Sequence, residues 1–338
     1  MKPLKVLVLF DTAGTPPSDQ DFSKELKTEA WRTESHVISA LQELGHKVST
    51  VGAYEDIQVI LHAVKKYQPD IVFNLMEHFR GEPALDRDVA GLLELLDVSY
   101  TGAGPAGLML CRNKSLSKTI LIHHKIRTPR FVEFKAGKPR VLSEKLSFPL
   151  IVKPSGDDGS VGISQSSFVE TKEDLWERVE FVQKRLHHDA LVEEYVEGRE
   201  LYVSLLGNCS LTVFPAREMI FEAVPTEAPK IATYRAKWDE KYRKQWGIKN
   251  GFAKNLSDKV TAEIQNICKQ TYALLQMRGY GRIDLRLTPK NEVIVLEANP
   301  NPYLARGEDF AESARKGGLN YNTLIQKIIT LGLSKVTP

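Results

Sequence analysis

The first third of the chain alternates between strand-like and helix-like spacing of apolar residues. Residues 6–10 form an unbroken apolar run, and residues 31–44 place Val37, Ile38, Leu41 and Leu44 on one helical face before Gly45 stops the helix. Residues 47–51 return to strand character. Asp56 caps a helix carrying Ile57, Ile60, Ala63 and Val64, and residues 70–74 make a third strand. A helix over 92–96 leads to a strand around 98–100. Such alternation predicts a parallel, doubly wound sheet covered by helices. Ligands on such sheets gather at the carboxyl ends of the strands, here near 11–14, 74–78 and 101–104.

Beyond residue 112 the pattern changes. A helix over 113–125 ends before Pro129, and residues 149–154 form a short strand that enters a glycine-rich loop. Thr171 and Asp174 make a capping box for a helix reaching about Leu186, and Leu191 and Val192 belong to another buried strand. Residues 226–256 are polar, rich in Lys, Tyr and Trp, and weakly periodic, which reads as a long functional loop. A helix with Val260, Ile264, Ile267 and Leu274 follows Ser257.

The hairpin of residues 281–287 and 293–299 carries the first chemical argument. Both arms alternate polar and apolar, and a turn centred between Lys290 and Asn291 sets Asp284 opposite Glu297 and Arg282 opposite Asn299. Facing carboxylates repel unless something positive lies between them, and hard oxygen donors suit Mg²⁺. A solvated Arg–carboxylate face is the alternative.

Lys153 precedes a run with Ser155, Gly156, Gly159, Ser160 and Gly162. Glycines there let backbone N–H groups approach phosphates, although the run is neither a Walker A loop nor GxGxxG, and a plain turn explains it equally well. Residues 191–200 hold four glutamates after a buried strand, either an acidic connector or a purine slot.

Composition narrows the classes. The 46 basic and 43 acidic residues leave a net charge of +3, which points to neither a nucleic-acid nor a membrane surface. No apolar stretch approaches the ~18 residues needed to span a bilayer. Three scattered cysteines, Cys111, Cys209 and Cys268, each in apolar context, predict small core residues in a reducing, cytoplasmic setting.

Taken in order, Lys114, Lys153 with its loop, residues 193–200, residues 281–284 and residues 297–299 resemble the D-alanine–D-alanine ligases and related ATP-grasp enzymes. Residues 91–95 and 99–104 match as well, and Tyr234-Arg235-Ala236-Lys237-Trp238 looks like that family's mobile ω-loop. The resemblance implies an α/β chain with the ATP-grasp fold and three lobes. These are a Rossmann-like lobe at 1–110, a small lobe at 111–197 and a C-terminal lobe at 198–338 carrying the ω-loop and metal site. It also implies that ATP lies between two antiparallel sheets. Lys114 and Lys153 would then hold phosphates under the loop of Ser155, Gly159, Ser160 and Gly162. Glu193 would meet the adenine amino group, Glu194 and Val196 would flank it, and Glu200 would bind ribose. Asp284, Glu297 and Asn299 would hold Mg²⁺, normally as a pair of ions, with Mn²⁺ an option. Arg282, Lys237 and Ser160 would serve catalysis, helped by a backbone N–H near Tyr303. A homodimer is the family's common state.

The departures cluster at the amino-acid end. In the family a first-lobe Glu, a loop Ser and an ω-loop Tyr orient the first substrate. Here the last two positions are Gly159 and Trp238, with Glu25, Glu29 or Glu34 as candidates for the first. The family's His-Gly pair is replaced by residues 77–82. At the stretch that meets the second substrate's carboxylate stand Glu308 and Asp309, next to Arg306. The expectation is an ATP-dependent carboxylate–amine ligase with a rebuilt, amino-acid-like substrate pair. Beside it stand a divergent D-alanine–D-alanine ligase, a kinase that releases the phosphorylated product, and a nucleotide-binding module without catalysis. Glu308 and Asp309 predict an amine partner that is neutral or cationic where D-alanine is anionic, such as an amino-acid amide, a diamine or a larger peptide, unless they merely occupy the first turn of a helix over 308–315.

Overall fold

The computed structural model describes residues 2–17, 20–138, 141–142, 144–156, 159–225 and 228–334. Asp157 and Asp158 of the glycine-rich loop, and Thr226 and Glu227 at the start of the expected ω-loop, lie outside the described residues.

The N-terminal part is a parallel sheet. β1 (Lys5–Asp11), α1 (Arg32–Glu43), β2 (Lys47–Ala53), α2 (Ile57–Tyr67) and β3 (Ile71–Leu75) give the strand order β2-β1-β3. Period two on β1 divides its side chains between the faces. Val6, Val8 and Phe10 pack with α1, and Leu7 and Leu9 pack with α2 and α3 (Asp86–Leu95). The strand expected at 98–100 is reduced to a single bridge between Tyr100 and Val72. The helix expected at 92–96 begins earlier, at Asp86, with Asp86 and Asp88 in its positive first turn.

α4 (Pro105–Arg112) and α5 (Lys114–His123) lead to an antiparallel sheet of β4 (Phe131–Phe134), β5 (Leu150–Pro154), β6 (Phe168–Val169) and β7 (Ala190–Glu194), ordered β4-β7-β5-β6. It is backed by α6 (Lys172–Arg185), where Thr171 accepts the Asp174 N–H as the capping pattern predicts.

The third sheet contains β8 (Arg199–Gly207), β9 (Leu211–Val213) and β10 (Arg217–Phe221). After α7 (Tyr234–Trp238) and α8 (Glu240–Gln245) it gains β11 (Ile248–Phe252), and after α9 (Asp258–Leu274) it gains β12 (Tyr280–Leu287) and β13 (Val293–Asn299). Its order is β11-β10-β8-β12-β13, with β9 beside β8. The apolar face, including Leu201, Val203, Leu205, Ile283 and Leu285, packs on α9. The polar face is left for the site. Residues 228–256 are thus more ordered than a loop. Thr233 and Asp239 cap α7 and α8 by accepting the N–H groups of Ala236 and Tyr242, and these helices are too short to show periodicity.

α10 (Asp309–Lys316) and α11 (Tyr321–Leu333) close the chain. Leu324, Ile325, Ile328 and Ile329 of α11 are fully buried against β1, β3 and α1, so the two ends of the chain share one core. Cys111 and Cys268 are buried as expected, whereas Cys209 is exposed. Among the described residues no helix is long and apolar enough to cross a membrane.

Replacing Ile328 with Ala removes three buried carbons from this shared core. The expected cost is roughly 2–5 kcal/mol, read as a lower urea midpoint. A loss below about 1 kcal/mol would show that α11 contributes little to the parallel-sheet layer.

Candidate functional site

The small and large antiparallel sheets face one another across a slot of about 70 Å³. Lys153 comes from β5 and Glu193 from β7. Glu200, Asp284, Arg286 and Glu297 come from β8, β12 and β13. The deepest group is a triad that the sequence reading only half found. The Glu193 carboxylate lies 2.6 Å from the Lys153 ammonium and 3.0 Å from that of Lys118, and all three side chains are buried. Burial alone would raise the Glu193 carboxyl, but the two lysines bring it below its usual value. Burial lowers Lys118 to about 8, whereas Glu193 holds Lys153 above the ordinary lysine value despite the same burial. Lys118 stands four residues after Lys114 on α5, so helical spacing gives both the same face. Glu200 is likewise engaged, by Arg286 at 2.7 Å and by the Tyr202 hydroxyl at 3.0 Å. Arg286 was missed, although it lies two residues beyond Asp284 on the same strand face.

Asp284 does face Glu297, and Arg282 does face Asn299. The register arises differently from expectation. The pairing nearer the turn, Leu287 with Val293, is one residue out of step, and a bulge between Asp284 and Leu285 restores it. The extra residue, Leu296, turns with Glu297 toward the slot, where both line the wall. Arg282 holds Asp284 in a two-pronged ion pair, at 2.6 and 2.9 Å. Burial raises the Asp284 carboxyl above its ordinary value, against the pull of Arg282. Burial acts the same way on Glu297, but Lys114, Lys153, Lys237 and Arg282 outweigh it and bring that carboxyl down to about 2. Lys114 sits 3.9 Å from Glu297. The Asn299 side-chain oxygen accepts the Asn301 N–H at 2.8 Å.

The glycine-rich loop is tied to the ω-loop. The Ser160 hydroxyl donates to the Ala232 carbonyl at 2.8 Å, the Tyr234 N–H to the Ile163 carbonyl at 3.0 Å, and the Trp238 indole N–H to the Gly159 carbonyl at 3.0 Å. Ser160 is held at φ +65°, a left-handed conformation that only surrounding contacts sustain in a serine. At Gly162, φ is +71° and a Cβ would come within 2.6 Å of Leu186 and 2.8 Å of Pro154, so a larger residue would be strained and would have to displace those side chains. Ser155 points elsewhere: its hydroxyl donates to Glu133, and it lines a separate shallow cavity with Asp86 and Arg112. Glu194 and Val196 line the slot, although the Glu194 carboxylate accepts the Ser147 N–H.

Beside the slot lies a larger cavity of about 460 Å³, sharing Lys237 with it and bounded by Glu77, His78, Arg243, Arg282, Tyr303 and Asp309, among others. His78 pairs with Asp11 at 3.1 Å, and Asp11 also accepts the Glu77 N–H. Of the three candidate first-lobe acids, Glu34 is the one turned inward. Burial raises its carboxyl, with Asp11 adding to the effect, and it acts on the Tyr303 hydroxyl. Glu29 is exposed and pairs with Arg32, while Glu25 accepts from Gln20. The repulsion expected from Glu308 and Asp309 does not survive. Arg32 pairs with Glu308, and Arg217 pairs with Asp309 at 2.9 Å. Glu308 is the N-cap of α10 and Asp309 its first residue. Arg306 turns outward, toward Glu43 and the Tyr321 ring.

Residues 121–330 match the family described as D-ala D-ala ligase C-terminus. An uncharacterised protein, y4sG, of Sinorhizobium fredii is 32% identical over 306 residues, spanning 88% of this chain and 86% of its own. The D-alanine–D-alanine ligase of Moorella thermoacetica is 28% identical over 341 residues, spanning 98% and 99%. In fold, the crystal structure of the D-alanine–D-alanine ligase from Bacillus anthracis complexed with ATP superposes with a TM-score of 0.76 at 21% identity, over 98% of this chain and 97% of that one. With the family matched across more than half of its length, the chain belongs to the D-alanine–D-alanine ligase family of ATP-grasp ligases.

Proposed function

We propose that this protein uses ATP to convert a carboxylate into an acyl phosphate and joins it to an amine, releasing ADP and phosphate. A carboxylate is a poor electrophile, and phosphorylation supplies the leaving group. The observation that carries the reading is the facing pair of buried Asp284 and half-buried Glu297, on which Lys114, Lys153, Lys237 and Arg282 converge. Cations there neutralise phosphate charge and hold the transferring group in line. The donor set fits a hard divalent ion, since Asp284, Glu297 and the Asn299 amide oxygen all offer oxygen. Those three residues would hold Mg²⁺, or Mn²⁺, as one ion or a pair, which would neutralise phosphate charge when bound.

The remaining roles follow from position. Lys114 and Lys153 hold phosphate, with the loop of Gly159, Ser160 and Gly162 above. Ser155, turned toward Glu133, is the weakest member of that set. Glu193, flanked by Glu194 and Val196, reads the purine edge, and Glu200 holds ribose. Arg282 and Lys237 face the larger cavity, where the donor carboxylate and the amine meet. The Ser160, Tyr234 and Trp238 contacts keep water from the acyl phosphate. The lobe division at 1–110, 111–197 and 198–338 is supported by each sheet lying within one lobe, although α11 returns to the first.

Asp284→Asn and Glu297→Gln should each lower ADP release at least roughly a hundredfold without loss of fold. Near-normal turnover in both variants would sink the assignment of this pair.

Lys118 gives a pH signature. Its folded pKa, about 8, lies below the ordinary lysine value, so between those limits the unfolded chain binds the extra proton. The wild type should therefore gain stability relative to Lys118→Met as pH rises from about 8 to about 10.5. Thermal midpoints of the two proteins that stay parallel across that range would refute it.

A nucleotide cannot enter a 70 Å³ slot while Ser160, Tyr234 and Trp238 keep the loops together. Residues 228–256 should accordingly exchange amide hydrogens faster without nucleotide than with an ATP analogue and Mg²⁺. Equal exchange in both states would count against loop opening as the route of entry.

A further inference from the structure

The larger cavity runs along the polar face of the large sheet. The in-register rows are Asp284, Tyr202, Arg217 and Phe252, then Arg286, Glu200, Met219 and Asn250. The reacting groups stand over β12 and β13. The other end lies over β11, three strand spacings away, or roughly 14 Å at about 4.8 Å each. The Arg282 guanidinium leans over the Tyr202 ring of β8, 5.0 Å from its centre. That leaves two spacings, roughly 10 Å, to β11. A gap of that size is about three extended residues.

The charges around this far end are matched with one exception. Asp309 accepts from Arg217 at 2.9 Å and from the Asn250 side-chain N–H at 2.6 Å. Glu308 is matched by Arg32, and Arg282 by Asp284. Arg243 of α8 also lines the cavity, but it donates only to neutral oxygens, the Ala236 carbonyl and the Asn250 side-chain oxygen, the latter at 3.2 Å. Among the described residues no carboxylate pairs with it. The Asn250 amide stands between Arg243 and Asp309, its oxygen toward the cation and its nitrogen toward the anion. Asp309, on the far side of that amide, is therefore already satisfied by other donors.

Building on the ligase reading, we propose that Arg243 selects the amine-donating substrate by binding a carboxylate at its distal end, roughly 10 Å from the reacting amine. The acceptor is thus longer than a single alanine. It is either a short peptide with a free C-terminus or a long-chain amino acid with its carboxylate at the far end. A short peptide agrees with the expectation of a larger peptide, neutral where D-alanine is anionic, whereas the distal carboxylate departs from an amino-acid amide or a diamine. The placement on the ω-loop also couples acceptor binding to closure, because the same loop carries Lys237 and Trp238.

The test supplies ATP, Mg²⁺ and a mixture of D- and L-amino acids as carboxylate donors. The acceptors are glycine, diglycine, triglycine and 6-aminohexanoate, each as free acid and as its amide. ADP release and acceptor-containing products, the latter by mass spectrometry, are both recorded. The expected result is that triglycine or 6-aminohexanoate exceeds glycine, and that the free acid exceeds its amide by roughly ten- to a hundredfold in kcat/KM. Which of the two long acceptors leads identifies the peptide or the long-chain source. Arg243→Gln should abolish the preference for acid over amide by raising KM for the acids, and Arg243→Lys should restore part of it. An Arg243 that only clasps α8 to β11 would change acid and amide acceptors alike. That outcome, a wild type indifferent to the acid, or glycine as the best acceptor would overturn the proposal. ADP release without any acceptor-containing product would overturn it too, while leaving carboxylate activation standing. No ADP release with any donor would remove the ligase reading itself.

Discussion

The site depends on keeping two carboxylates, one buried and one half-buried, side by side on neighbouring strands. Asp284 and Glu297 face each other across β12 and β13, where like charges directly opposite are destabilising. Nothing in strand pairing favours that arrangement. It is held by cations from elsewhere in the chain: Arg282 from the same strand, Lys114 from α5, Lys153 from the small sheet and Lys237 from the ω-loop. The carboxylate pair therefore gives the lobes an electrostatic reason to close on one another, and the bulge at Leu296 gives Glu297 the orientation to take part.

The same logic explains why the slot is narrow. Each group proposed to face phosphate or nucleoside has an internal counter-ion: Lys153 and Lys118 with Glu193, Arg286 with Glu200, Arg282 with Asp284. Buried charges left alone would cost several kcal/mol each, so the chain neutralises itself. A polyanion arriving between the sheets must displace part of this pairing. Two lysines on one glutamate leave a surplus of positive charge in place, so the exchange is with a partner already favoured by the local field.

Legibility in the sequence tracked the range of the interactions. The parallel sheet could be read because β1 to β3 and their helices are local, periodic units. The facing pair on β12 and β13 was legible for the same reason, but the bulge was not, since alternation alone cannot say where a strand slips by one residue. β8 alternates Glu200, Tyr202 and Ser204 with Leu201, Val203 and Leu205, so it too was available from spacing, whereas α11 was not, because its role is to cover a sheet more than two hundred residues away in sequence. Lys118 and Arg286 were available from simple spacing off residues already singled out. The partners of Glu308 and Asp309 were not, because Arg32 and Arg217 are brought there only by tertiary contact.

The amine end shows how a departure in sequence preserves one role and gives up another. By the family resemblance, a loop serine and an ω-loop tyrosine form a link that also orients the first substrate. Here Gly159 offers only its backbone carbonyl, and Trp238 meets it with the indole N–H at 3.0 Å. The connection between the two closing loops therefore survives the loss of both hydroxyls. Trp is a donor with a single N–H, so its hydrogen-bonding capacity is exhausted by that link. Its ring is left to pack on Tyr303, with centroids 5.5 Å apart. The tie between the two loops is kept, and neither position retains a hydroxyl. On the proposed ligase reading a substrate ammonium would then meet the acidic side of the cavity, where Glu77 lines the wall and acts on the Tyr303 hydroxyl together with Glu34 and Asp11 behind it. On that reading a cavity charged at Glu77 and at Arg243 would distinguish substrates by where their charges lie along it, more than by the bulk of a methyl group.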